Sequence, residues 1–201
     1  MKRAARHLAR EPKGELFMQL RNSAQGYGAI PKSLHWLTVA LVILAWLLGT
    51  FGEELPLGTA RDFGMFVHIT MGLLVIVLLV ARVIWRVVDP PPPPEITPLG
   101  SWIEAAGKLT HLTLYLLLAA TPIVGIVLQF ARGDALPIFG FTEIASPWIK
   151  DKGFARSIKE IHDTLANALV ILAVLHAFAA LTHHWVWHDR TLKRMLPGIA
   201  R

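Results

Sequence analysis

Residues 161–187, IHDTLANALVILAVLHAFAALTHHWVW, read as one long apolar helix carrying two internal histidines, His162 and His176. The fourteen residues between them rise roughly 21 Å at about 1.5 Å each. At about 100° per residue they also return to nearly the same helix face. Ionisable side chains are rare inside membrane spans and mark function when they occur. A neutral imidazole is also the usual axial ligand of haem iron. One helix can therefore offer a ligand near each membrane surface, both facing into a bundle.

Three further apolar runs cover residues 34–51, 63–88 and 105–130, with the fourth at 157–187. Each reaches the roughly 20 residues that a 30 Å hydrocarbon layer requires. The second run ends at Asp89 and five prolines at 90–94, through which no helix can pass. Pro122 lies inside the third run as an expected kink that neighbouring helices can satisfy. Residues 131–154, with Gly133, Pro137, Gly140 and Pro147, read as a structured surface loop. The expected fold is an all-α membrane protein, a four-transmembrane-helix bundle over residues 27–197. Residues 1–26 are basic, lack the apolar core of a signal peptide, and are expected to form a disordered cytoplasmic tail.

Composition agrees. The chain is 54% hydrophobic and 17% charged, against about 25% charged in soluble domains. Its net charge of +6 would suggest nucleic acid in a soluble protein. Here no basic helix is interleaved with aromatics, so nucleic-acid binding is excluded. Positive residues beside spans instead set orientation. Cysteine is absent, which removes disulfides, thiolate metal sites, c-type haem attachment and iron–sulfur clusters.

Four spans place both termini on one side. Fourteen of the twenty Lys and Arg residues fall on that side and six on the other, namely Arg61, Arg132, Lys150, Lys152, Arg156 and Lys159. The positive-inside rule then makes the termini and the proline block cytoplasmic. Orientation gives each histidine a depth. His35 and His176 belong to the inner half, and His68 and His162 to the outer half. The depths define two six-coordinate sites, His35 with His176 and His68 with His162, suited to outer-sphere electron transfer.

His111 has a depth similar to His35. It can replace one inner ligand, bond a haem propionate or a quinone carbonyl, or simply pack. His183 lies two turns beyond His176 on nearly the same face, where a quinone headgroup could sit. Zinc is disfavoured, since the only close pair, His183 and His184, points about 100° apart on a helix. A small transporter is also weighed, but no internal repeat is visible and only Pro122 interrupts a span.

Several segments together resemble the bacterial cytochrome b561 family, di-haem b proteins of the inner membrane. They are SLHW at 33–36, VHI at 67–69, GKLTH at 107–111 with Tyr115, and RG at 132–133. HDTLAN at 162–167, LHA at 175–177, HH at 183–184 and DRTLKRMLP at 189–197 complete the set. The resemblance spans residues 27–197 and implies two b haems on His35, His68, His162 and His176, with His183 near a quinone. Within the family the likeness is greatest to the superoxide-oxidising members. That implies electrons taken from superoxide on the periplasmic side and passed to ubiquinone near the cytoplasm. Arg132 and Lys159 are candidates for attracting the superoxide anion. The alternative is a cytochrome b relaying electrons between quinol and another redox partner. The expected partners are superoxide, ubiquinone, the lipid bilayer and, optionally, a second copy of the chain.

Overall fold

The computed structural model describes residues 20–24, 26–95 and 100–197. Four helices dominate: α1 (Ala29–Phe51), α2 (Thr59–Val88), α3 (Ser101–Ala131) and α4 (Lys152–Trp185). All four are long and apolar enough to cross a membrane. Each begins earlier than the apolar runs suggested. Pro31 sits in the first turn of α1, where its missing N–H costs nothing. Helix α4 starts at Lys152 because the Asp151 side chain accepts a hydrogen bond from the Phe154 N–H at 3.0 Å, an N-cap. It ends at Trp185, two residues short of the expected 187. Pro122 lies within a continuous α3.

The helices pack mainly as the pairs α1–α2 and α3–α4, and α2–α3 and α1–α4 contacts close the bundle. Leu41, Val75, Leu79, Leu118 and Leu169 form the buried cluster at its middle. Val75, Leu118 and Leu169 each lie seven residues after a histidine (His68, His111 and His162), and Leu169 lies seven before His176. Seven residues make two turns. The apolar layer therefore separates two histidine layers. Many other large apolar side chains are exposed, among them Val80, Ile84, Leu116, Ile171 and Phe178, as lipid contact requires.

The loop after α3 contains the only regular β-structure among the described residues, a hairpin of β1 (Leu136–Ile138) and β2 (Thr142–Ile144) paired antiparallel. Its three-residue turn has Phe139 at φ 53° and Gly140 at φ 77° and is closed by the Phe141 N–H donating to the Ile138 carbonyl at 3.0 Å. The Gln129 side-chain amide donates to the Ala135 carbonyl at 2.9 Å, folding the hairpin back over the bundle, where Leu136 is buried.

At the opposite end the packed structure reaches back to Leu20, ahead of the boundary expected at Tyr27. Residues 1–19 and 25 of the expected tail lie outside the described residues. The reason for the earlier start is Asp89, buried at 7% exposure. Its carboxylate accepts from the Asn22 backbone N–H at 2.8 Å and faces Arg21 at 3.5 Å. The Asn22 amide donates to the carbonyls of Asp89 at 3.0 Å and Pro90 at 3.1 Å, while its oxygen accepts from the Gly28 N–H at 3.1 Å. From the other terminus Arg194 pairs with Glu95 at 2.8 Å and donates to the Pro93 carbonyl at 2.8 Å. The proline block, which lacks backbone donors of its own, is thus held from both sides. Asn22→Ala removes three of these bonds and leaves buried partners unsatisfied, a loss of about 1–3 kcal/mol. It should lower the thermal unfolding midpoint in detergent, and an unchanged midpoint would show that the segment carries no stability.

Candidate functional site

His68 on α2 and His162 on α4 face each other with ring centroids 6.0 Å apart. The seats of the two rings are alike. His68 Nδ1 lies 2.8 Å from the Ala45 carbonyl, and His162 Nδ1 lies 3.0 Å from the Thr121 carbonyl. A carbonyl only accepts, so both rings carry a proton on Nδ1, and in the neutral imidazole this leaves Nε2 as the free nitrogen. In each case a glycine follows four residues after the accepting carbonyl. A Cβ on Gly49 would meet the His68 ring at 2.9 Å, and one on Gly125 would meet the His162 ring at 3.0 Å. Only glycine lets the imidazole lie against the helix backbone there. The rings border a cavity of about 330 Å³, also lined by Trp46, Asn167, Arg132 and Lys159. The Trp46 indole N–H donates to Asn167 Oδ1 at 3.0 Å.

In the other layer the rings of His111 and His176 meet edge to face at 5.3 Å. His35 packs against Trp36 and lies within electrostatic reach of both rings and of Arg82. Arg82 stacks 5.4 Å over the Tyr115 ring. Three imidazoles therefore share this layer, expected from sequence to be the inner one, where the depth reading pairs His35 with His176 and places His111 alongside. His183 sits about 31 Å along α4 from His162, at 1.5 Å for each of 21 residues. Its Nδ1 lies 2.5 Å from Asp189 Oδ2, and its ring packs on Trp187 at 4.4 Å. Burial pushes the Asp189 carboxyl up, but hydrogen bonds from His183 and Thr191 outweigh it and hold the pKa below its usual value. The contact is thus a stabilising one that is lost as pH falls through that lowered pKa.

A family model described as prokaryotic cytochrome b561 matches residues 26–198. The chain belongs to the prokaryotic cytochrome b561 family. Cytochrome b561 homolog 2 of Escherichia coli (strain K12) is 34% identical over 180 residues, covering 89% of this chain and 95% of that protein. The probable superoxide oxidase CybB of Yersinia pestis is 33% identical over 175 residues, covering 85% and 96%. Cytochrome b562 of Cereibacter sphaeroides is 31% identical over 176 residues, covering 85% and 95%. As a cytochrome b561 the chain is a membrane electron-transfer protein of an oxidoreductase-type family, and the family implies haem b.

The residues present fit that group. Metal-bound histidines characteristically donate their second ring nitrogen to a carbonyl or carboxylate, as both outer rings do. His68 and His162 would hold the group from the two sides of one cavity, their ring centroids 6.0 Å apart. Sequence reading missed Gly49 and Gly125. Isolated glycines inside apolar helices were the available signal, but the histidine each would receive lies on another helix. It also missed Asp189 as the partner of His183, because the chain reverses between them. Gly125→Val displaces the His162 ring. Haem per chain in the pyridine haemochrome assay should fall, with helicity by circular dichroism unchanged; full haem content would refute the cradle.

Proposed function

We propose that this cytochrome b561 oxidises superoxide at the α3–α4 loop end, taken as periplasmic, and reduces ubiquinone at the proline-block end, taken as cytoplasmic. Two superoxide ions each lose one electron and leave as oxygen. One ubiquinone gains both electrons and two protons to become ubiquinol. Two b haems, held by His68 with His162 and by His35 with His176, supply the one-electron relay when bound. The observation that carries the reading is the juxtaposition of Arg132 and Lys159 with the His68–His162 pair around one cavity.

Each side chain has its own task. Arg132 and Lys159 attract a small anion towards the outer pair, as cationic clefts raise local anion concentration. Lys159 is also held by Asp163 at 2.8 Å, which fixes its position at the mouth. The carbonyls of Ala45 and Thr121 fix the tautomer of the outer imidazoles. At the far end the His183–Asp189 pair, next to Trp187, can hold a proton beside a quinone headgroup. His111 supports the inner layer as a polar neighbour of His176. Nucleic acid has no part in this scheme, and a second copy of the chain is not needed for it.

The deciding test adds superoxide to the purified, haem-loaded protein with a soluble ubiquinone analogue and follows haem reduction and quinol formation. Reduction by quinol with no response to superoxide would assign the relay to quinol and another redox partner. Reversing both charges, Arg132→Glu with Lys159→Glu, should slow the superoxide reaction about tenfold or more and remove its salt dependence. For the ligands, His35→Ala should lose one haem per chain while His111→Ala keeps both. The opposite result would hand the inner position to His111.

A further inference from the structure

The loop between α3 and α4 builds a second concavity that adjoins the cavity of the His68–His162 pair. Arg132, Lys150, Lys152, Arg156 and Lys159 line a cavity of about 250 Å³ with Ala155 and no acidic residue. The loop is shaped to bring these cations together. The Asp151 N–H donates to the Ala131 carbonyl at 3.1 Å, tying the start of α4 to the end of α3. Gly133 takes φ 75°, and a Cβ there would meet Lys150 Cβ at 3.0 Å. Asp151, the acid nearest in sequence, turns its carboxylate to the Phe154 N–H, and Asp163 on Lys159 offsets one of the five charges.

The size and charge exceed what superoxide requires. A diatomic anion fills little more than a water molecule's share of about 30 Å³ and carries one charge. Arginine and lysine clusters of this kind match the oxygens of a phosphate group. Beside the cup stands an apolar rim. Trp148 packs between Phe130 and Phe154 with centroids at 6.2 and 6.1 Å, and Ile149 is 93% exposed next to Lys150. Ser146 accepts from the Trp148 N–H at 3.1 Å and donates to the Phe130 carbonyl at 2.9 Å, so the rim is held in place. Tryptophan beside basic residues at the ends of apolar spans marks the headgroup level of a bilayer.

We propose that this cup binds the phosphate of an anionic phospholipid, with Trp148 and Ile149 seated at its acyl boundary. The inference stands on the membrane placement of the helices and not on superoxide chemistry. It has one consequence for that chemistry, since Arg132 and Lys159 line both cavities. A lipid phosphate in the cup neutralises part of the field that draws anions to the outer histidines.

The test uses the full-length, haem-loaded protein in detergent and native mass spectrometry, titrating phosphatidylglycerol against phosphatidylcholine. Phosphatidylglycerol should be retained selectively. In Lys150→Ala/Lys152→Ala/Arg156→Ala, with an unchanged haem spectrum, retention should weaken about tenfold or more, and the triple Arg/Arg/Lys exchange should restore it. Equal retention of the two lipids by the unmodified protein would overturn the proposal without recourse to any variant. So would full displacement by equimolar inorganic phosphate, which would make the cup a free-phosphate site, or stronger capture of an acidic peptide. Selective lipid retention in a preparation that ignores superoxide would leave the lipid site standing and remove only the superoxide reading.

Discussion

The bond from an imidazole N–H to a helix carbonyl is the constraint on which the outer half of the bundle turns. It is made twice, by His68 to Ala45 and by His162 to Thr121. A helix carbonyl already serves its own ladder, and a second donor reaches it only from close range. Gly49 and Gly125 supply that range. Each bond is worth only about 1 kcal/mol net, yet each fixes a tautomer, a ring plane and the approach of two helices. It joins α2 to α1 and α4 to α3, the two closely packed pairs of the bundle. The rings so seated face each other across the bundle and border the cavity between the pairs.

The apolar layer answers a different demand. Leu41, Val75, Leu79, Leu118 and Leu169 occupy the middle of the bundle, with Val75, Leu118 and Leu169 each two helical turns from a histidine of their own helix. Any polar group there would meet no water and would need a partner. Confining imidazoles to two layers lets each find a carbonyl or another ring, while the middle is closed by packing alone. In the proposed arrangement this layer is what keeps the redox groups apart and excludes protons between them, so that only electrons cross.

The four spans were legible because length and hydropathy suffice for them, and the proline block at 90–94 marked a boundary unaided. Depth put His68 and His162 in one layer, and there their rings lie 6.0 Å apart. The inner layer was less legible. Depth placed His35, His111 and His176 together but cannot say which rings touch, and the 5.3 Å contact falls between His111 and His176. Helix starts were missed by about four residues, because Asp151 and Pro31 extend helices into polar sequence that hydropathy discounts. The Asn22–Asp89 contacts join residues 67 apart, and nothing local in either segment announces them.

The two ends of the bundle have opposite chemical character. The loop end presents five cations around open cavities, with Asp163 held on Lys159 and Glu53 lining the cavity of the histidine pair. The other end is closed by ion pairs and backbone bonds around the prolines, and there a carboxylate and an imidazole share a hydrogen bond. An end that gathers anions suits a reactant that surrenders an electron and leaves as neutral oxygen. An end with a fixed carboxylate–imidazole pair suits an acceptor that takes up protons with its electrons. The asymmetry of side chains supports the proposed direction of the relay on grounds other than the charge count used to orient the helices.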